Sequence, residues 1–143
     1  MNVLIVVPRF KDTDELAHIY TPIFIPVGLA YISAALKEAG IKTAFLNLNL
    51  CRDDVEEKIK KVLSQEDYGF VLTGGLSVHY KAVKICTQCI RKYAPHARVV
   101  LGGGMISSQP ELMWKHLRPD YLVIGEGEET IVDLVKCSEQ RDN

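Results

Sequence analysis

The sequence predicts an open α/β fold: a five-stranded parallel sheet with helices on both faces, in three layers. Three observations predict it. Five short apolar runs are continuous rather than alternating, as in strands buried on both sides. Segments of helical periodicity separate them, so β and α alternate along the chain. Glycine-rich turns follow the third, fourth and fifth runs, at what would be one edge of the sheet. Five strands and five helices in 143 residues fit a flavodoxin-like (Rossmann-like) strand order, 2-1-3-4-5, better than the larger dinucleotide fold.

The first strand, Val3–Val7, is entered directly from the N-terminus. Pro8 to Ile25 then shows no clear secondary structure, against ~2–6 residues in an ordinary βα connection. Long loops at the carboxyl ends of strands commonly carry function. This one holds Tyr20, Pro22, Phe24 and Ile25, apolar enough either to tuck onto the core or to wall off a ligand or a second domain. Pro26 begins the first helix as an N1 residue and Gly40 ends it. The second strand is Thr43–Leu46. A second helix starts after Asp53 or Asp54, with Val55, Ile59, Val62 and Leu63 on one face.

The third strand, Phe70–Thr73, runs into Gly74-Gly75-Leu76. A third helix follows with the stripe Val78, Ala82, Ile85, Cys86, Cys89, Ile90 and Tyr93, and Pro95 stops it. The fourth strand, Arg98–Leu101, runs into Gly102-Gly103-Gly104, and a short helix spans about Pro110 to Leu117. The fifth strand, Tyr121–Ile124, runs into Gly125-Glu126-Gly127-Glu128 and a last helix to about Cys137. Residues 1–137 read as one domain. The polar Ser138–Asn143 reads as a frayed tail or the start of a linker.

Bulk properties exclude several function classes. A net charge of −1 gives no reason to expect nucleic acid or an anionic membrane as partner. No apolar run approaches the ~20 residues of a membrane span. The N-terminus has neither a basic region nor a cleavage site. Cys51, Cys86, Cys89 and Cys137 are too few for a disulfide framework, so a reducing, cytoplasmic compartment is expected.

The glycine turns carry the functional reading. A backbone without Cβ lets a ligand approach closely or takes a left-handed conformation, and ligands of this fold bind at the carboxyl edge of the sheet. The first strand is followed by Pro8-Arg9-Phe10-Lys11, not by GxGxxG, and no P-loop lysine is present. A signalling receiver would need acidic residues there and an aspartate ending the third strand, where Thr73 and Gly74 stand. A flavin carrier would need a hydroxyl-rich phosphate loop after the first strand. Glu126, Glu128 and Glu129 are too acidic to hold phosphate and suit a helix N-terminus. The Cys86/Cys89 pair has no second pair nearby for zinc, and both thiols lie on the apolar stripe of the third helix. His18 and His79 lie where they could reach the ligand edge; His96 and His116 read as surface or packing residues.

The order and spacing of these motifs resemble the N-terminal B12-binding domain of cobalamin-dependent radical SAM proteins. The residues that carry the resemblance are Pro8, Pro26-Val27-Gly28-Leu29-Ala30-Tyr31 through Gly40, the turn after the third strand, Leu101-Gly102-Gly103, and Asp120 to Glu128 with Thr130. The resemblance implies cobalamin on the carboxyl edge, its nucleotide tail running down beside the third and fourth strands. Gly74, Gly75, Leu76 and Ser77 would contact tail and ring, and Gly102, Gly103 and Gly104 would flank the tail. Gly125, Glu126 and Gly127 would close the far side. Gly28, Leu29 and the Pro8-Arg9 turn would sit near the lower face of the ring.

Two departures shape the expectation. The D-x-H-x-x-G motif that supplies a lower axial histidine in many cobalamin domains is absent; Asp12-Thr13-Asp14-Glu15-Leu16-Ala17-His18 does not match it. A base-off, His-off cobalamin is therefore expected. The C-x3-C-x2-C motif of a 4Fe–4S cluster is also absent, so cluster and S-adenosylmethionine would belong to a radical SAM domain outside this chain, in cis or in trans. The chain's end just after the last helix favours an excised N-terminal domain. The alternative is a docking domain of the same fold that has lost cobalamin binding.

Overall fold

The computed structural model describes residues 1–9 and 26–142. The long Pro8–Ile25 connection, with His18, lies outside the described residues from Phe10 onward. Five parallel strands form one sheet in the order 2-1-3-4-5. They are β1 (Val3–Val7), β2 (Thr43–Asn47), β3 (Phe70–Gly74), β4 (Arg98–Gly102) and β5 (Tyr121–Leu122). Among the described residues the α-helices are α1 (Val27–Glu38), α2 (Val55–Gln65), α3 (Tyr80–Tyr93), α4 (Gly104–Ser108), α5 (Pro110–Leu117) and α6 (Glu128–Asp142).

The strands form because their apolar residues serve both faces at once. All five residues of β1 are fully buried at the centre of the sheet. Successive side chains of a strand point to opposite sides, and two cores result. Leu4, Val6, Val71, Val99 and Leu101 pack on the face covered by Ile59 of α2, Val83 and Ile90 of α3, and Met113 of α5. Val3, Ile5, Phe70, Leu72 and Val100 pack on the other face, under Leu36 of α1 and Ile131 and Val135 of α6. Among the described residues the second core is the smaller of the two.

Helix ends follow local chemistry. Asp54 caps α2 by accepting from the Glu57 N–H at 3.1 Å. Gly40, at φ +76°, follows α1 and takes the left-handed conformation that lets the chain turn into β2. Glu128 and Glu129 occupy the first turn of α6. On the outside of the larger core, Glu56 of α2 accepts from Lys92 Nζ and from the Tyr93 hydroxyl of α3, both at 2.6 Å. These partners hold the Glu56 carboxyl below its ordinary range.

Three expectations are corrected. The buried stripe of α3 is Val83, Cys86, Thr87, Cys89 and Ile90, while Val78 is 83% exposed and Ile85 48% exposed. A 3-10 turn, Ser77–His79, precedes the helix and sets its phase, so Val78 does not belong to it. The short helix α4 follows Gly103 directly. The last helix continues past Cys137 to Asp142, with Ser138 buried on it.

Candidate functional site

The glycine turns meet at the carboxyl ends of β3, β4 and β5 and are tied together by their own backbone. Gly74 and Gly102 pair in register across β3 and β4. The Met105 N–H at the start of α4 donates to the Gly75 carbonyl at 3.0 Å. The Gly125 N–H donates to Ser107 Oγ of α4 at 2.9 Å. The β3 turn is thus fastened to the β4 turn, and the β4 turn to the β5 turn.

This closeness explains the residue type at two positions. A Cβ on Gly74 would stand under 3.0 Å from the Gly102 carbonyl oxygen, a clash with rigid backbone. Gly103 has φ +92°, and a Cβ there would stand 3.0 Å from the Gly75 carbonyl oxygen. Both are required by the neighbouring turn. Gly102 differs: a Cβ there would meet only Val123, at ordinary contact distance of 3.8 Å or more.

Above the smaller core the turns border a cleft of about 360 Å³. Its floor is apolar: Leu72, Val100 and Val123 from the strand ends, Ile32 of α1 and Ile131 of α6. Its rim is backbone-rich, with Gly74, Gly75 and Leu76 on one side, Gly102, Gly103 and Gly104 in the middle, and Gly125, Glu126, Gly127 and Glu128 on the far side. The start of α1 (Pro26, Val27, Gly28 and Leu29) completes it. Thr73 borders the cleft with its backbone between Leu72 and Gly74; strand alternation turns its side chain to the opposite face, with Val71, where its hydroxyl is buried with no hydrogen-bond partner among the described residues. Orphaned buried hydroxyls are rare, because desolvation without a partner costs free energy.

His79 lines the cleft beside the β3 turn. Its Nδ1 accepts from the Leu76 N–H at 3.1 Å, and its own backbone N–H donates to the Leu76 carbonyl at 2.8 Å. Burial holds its pKa below the ordinary histidine value.

Twelve of the residues expected at the ligand edge therefore divide simply. Gly28, Leu29, Gly74, Gly75, Leu76, Gly102, Gly103, Gly104, Gly125, Glu126 and Gly127 come together in this cleft, whereas Ser77 lines a second hollow between α3 and α5. Pro8 and Arg9 turn towards β2. The Arg9 guanidinium donates to the carbonyls of Leu48 (3.1 Å), Cys51 (2.6 Å) and Asp53 (2.7 Å), and the Pro8 carbonyl accepts from Asn49 Nδ2 at 2.8 Å. The apolar floor and His79's bond to the turn add to the set found in the sequence. Cys86 is buried in the larger core, its thiol pushed up to about 12 by desolvation, so it is inert as a nucleophile.

Among the described residues no group of His, Cys, Asp and Glu is placed to hold a metal ion. Among the described residues the cleft's chemistry is that of a receptor: apolar floor, backbone polar rim and no local excess of cations. It suits a large, flat ligand bearing neutral polar groups more than a free phosphate.

Solved structures share this architecture. TsrM from Kitasatospora setae, a radical S-adenosylmethionine methyltransferase with tryptophan substrate and a SAM analogue bound, matches 97% of this chain with TM-score 0.83 and 21% identity. A TsrM structure with cobalamin and a [4Fe-4S] cluster bound matches with TM-score 0.82. OxsB, a cobalamin-dependent S-adenosylmethionine radical enzyme with aqua-cobalamin and S-adenosylmethionine bound, matches with TM-score 0.76 at 17% identity. The chain spans 26%, 24% and 19% of those three chains. At these identities the likeness is one of fold. No curated protein is significantly similar. The model of the B12 binding domain matches residues 18–135, most of the sequence, and with the strand order and cleft already described this places the chain in the B12-binding domain family.

Proposed function

We propose that this chain is a cobalamin-binding module that presents the cofactor to a radical SAM domain, carried on the same polypeptide or a second one. The observation that carries the reading is the cleft at the joined glycine turns. It lies on the carboxyl edge, where β3, β4 and β5 end together. The family membership and the fold shared with cobalamin-bound enzymes support it.

The residues present fit such a group because the cradle is open where a side chain would fill it, at Gly102 and Gly28. Leu72, Val100, Val123, Ile32 and Ile131 would hold the apolar part of the nucleotide tail, and the backbone of the three turns would meet the corrinoid's amides. When bound, cobalamin supplies alkyl-transfer or radical chemistry at its cobalt. The chain's own part is to hold the ring, keep water from the tail and leave the upper face open to its partner domain. We also propose a base-off state without a histidine ligand, and a cytoplasmic setting, consistent with four free thiols. Among the described residues no helix is long and apolar enough to cross a membrane.

Titration with hydroxocobalamin, followed by visible absorbance and calorimetry, tests the proposal. Saturable binding is expected, with a spectrum that reports the lower ligand. The variant Gly102→Ala keeps the fold, since its methyl meets only ordinary contacts, but weakens binding about tenfold or more by filling the cleft. No saturation up to ~100 μM would overturn the reading and leave a docking domain without cofactor.

A further inference from the structure

We propose that His79 is a positioning residue of the cleft: as a neutral imidazole it locks the β3 turn in the shape that receives the ligand. The inference rests on the cofactor reading above and adds a regulated residue to it. Leu76 and His79 form a closed pair, with the Leu76 N–H donating to Nδ1 at 3.1 Å and the His79 N–H donating to the Leu76 carbonyl at 2.8 Å. A side chain thereby satisfies a turn N–H that β3 no longer pairs. The ring also packs on Gly75, where a Cβ would stand 2.9 Å from Nδ1. Gly75 in turn receives the Met105 N–H, and the Leu76 side chain lies 3.0 Å from where a Cβ of Gly104 would stand. Through these contacts one imidazole fixes the β3 turn, and that turn fixes the β4 turn.

Acceptance at Nδ1 puts the proton of the neutral ring on Nε2. Protonation makes Nδ1 a donor, facing the Leu76 N–H donor, so the pair opens. The sign is therefore set. The folded-state pKa is depressed by burial from 6.5, so the lock is complete above that value and is lost as pH falls through the depressed one. Among the described residues the ionisable groups on the opposite wall are the carboxylates of Glu126, before α6, and Glu128, at its start, and Tyr80 adjoins the ring in sequence. Among the described residues desolvation is the cause of the shift.

The test combines imidazole and amide NMR on the 143-residue chain with hydroxocobalamin titration between pH 5 and 8, in wild type, His79→Ala and His79→Asn. Asparagine carries an oxygen at the Nδ1 position and does not titrate. In wild type we expect the Nε2–H tautomer, Leu76 amide protection that is lost as the ring protonates, and affinity that falls about tenfold over the same interval. His79→Asn keeps the affinity and flattens that fall relative to wild type; the probe's own titration is common to both. His79→Ala binds about tenfold more weakly throughout. Equal behaviour of the Ala and Asn variants, or Leu76 protection indifferent to ring protonation, overturns the proposal. Absence of cobalamin binding in every variant overturns the cofactor reading alone, and the Leu76 and imidazole signals still decide whether His79 holds the turn.

Discussion

Thr73 precedes the β3 turn and carries a hydroxyl that the fold leaves without a partner among the described residues. Folding gains nothing from that group, and strand alternation turns it to the side of Val71, away from Leu72 and the cleft. Thr73→Val is therefore expected to leave the free chain as stable as wild type or more so, by up to about 1 kcal/mol, with cobalamin affinity unchanged. Thermal unfolding and calorimetry on the same preparation check both halves; a selective loss of affinity would bring the Thr73 hydroxyl into the site. At this scale the sequence was informative about where and poorly informative about why. A glycine after a strand marks a close approach, but Gly74 and Gly103 answer to a neighbouring backbone, while Gly102 leaves space. Which reason applies depends on atoms of another strand, and no local pattern encodes them.

Elements were legible to the extent that their pattern was local. β1 has the bounds its apolar run predicts, and Asp54 caps α2 as its position before an amphipathic stretch implies. The α3 stripe was misphased because Val78 has the helical spacing but belongs to the preceding 3-10 turn. Helix α4 was missed because its first residue, Gly104, completes a glycine run that reads as a turn. Arg9 shows how an element boundary can be held from afar. Its fork clamps three carbonyls of the segment between β2 and α2. Arg9→Ala is expected to destabilise the chain by about 1–3 kcal/mol in denaturant titration, with lysine a poor replacement because it lacks the planar fork. Cobalamin affinity per folded molecule should stay unchanged, since Arg9 does not border the cleft. A selective loss of affinity would return Arg9 to the ligand site.

Among the described residues the two faces of the sheet are unevenly supported. One has the larger core, under α2, α3 and α5; the other has the smaller one, under α1 and α6, and the cleft opens above it. A ligand seated there adds apolar contact to the thinner side. At a hundredfold excess over Kd, cofactor adds about 2.7 kcal/mol, a rise in Tm of roughly 8 °C for a chain of this size. Hydrogen exchange should place most of the added protection in α1, α6 and the β3 to β5 turns, and little in α2 and α3. Uniform protection over both faces would contradict the asymmetry. The strand order was legible because alternating apolar runs and helices leave few arrangements of this length. The division of the core was not, since it depends on which helices cover which face.

That division reaches beyond binding. A chain whose weaker side is completed by its cofactor is the more easily opened when empty, and opened chains are what cellular proteases take. On the proposed reading its abundance would follow the supply of cobalamin without any dedicated regulator: empty copies would be cleared and loaded ones would persist, so that the surviving pool would be enriched in molecules already carrying their cargo.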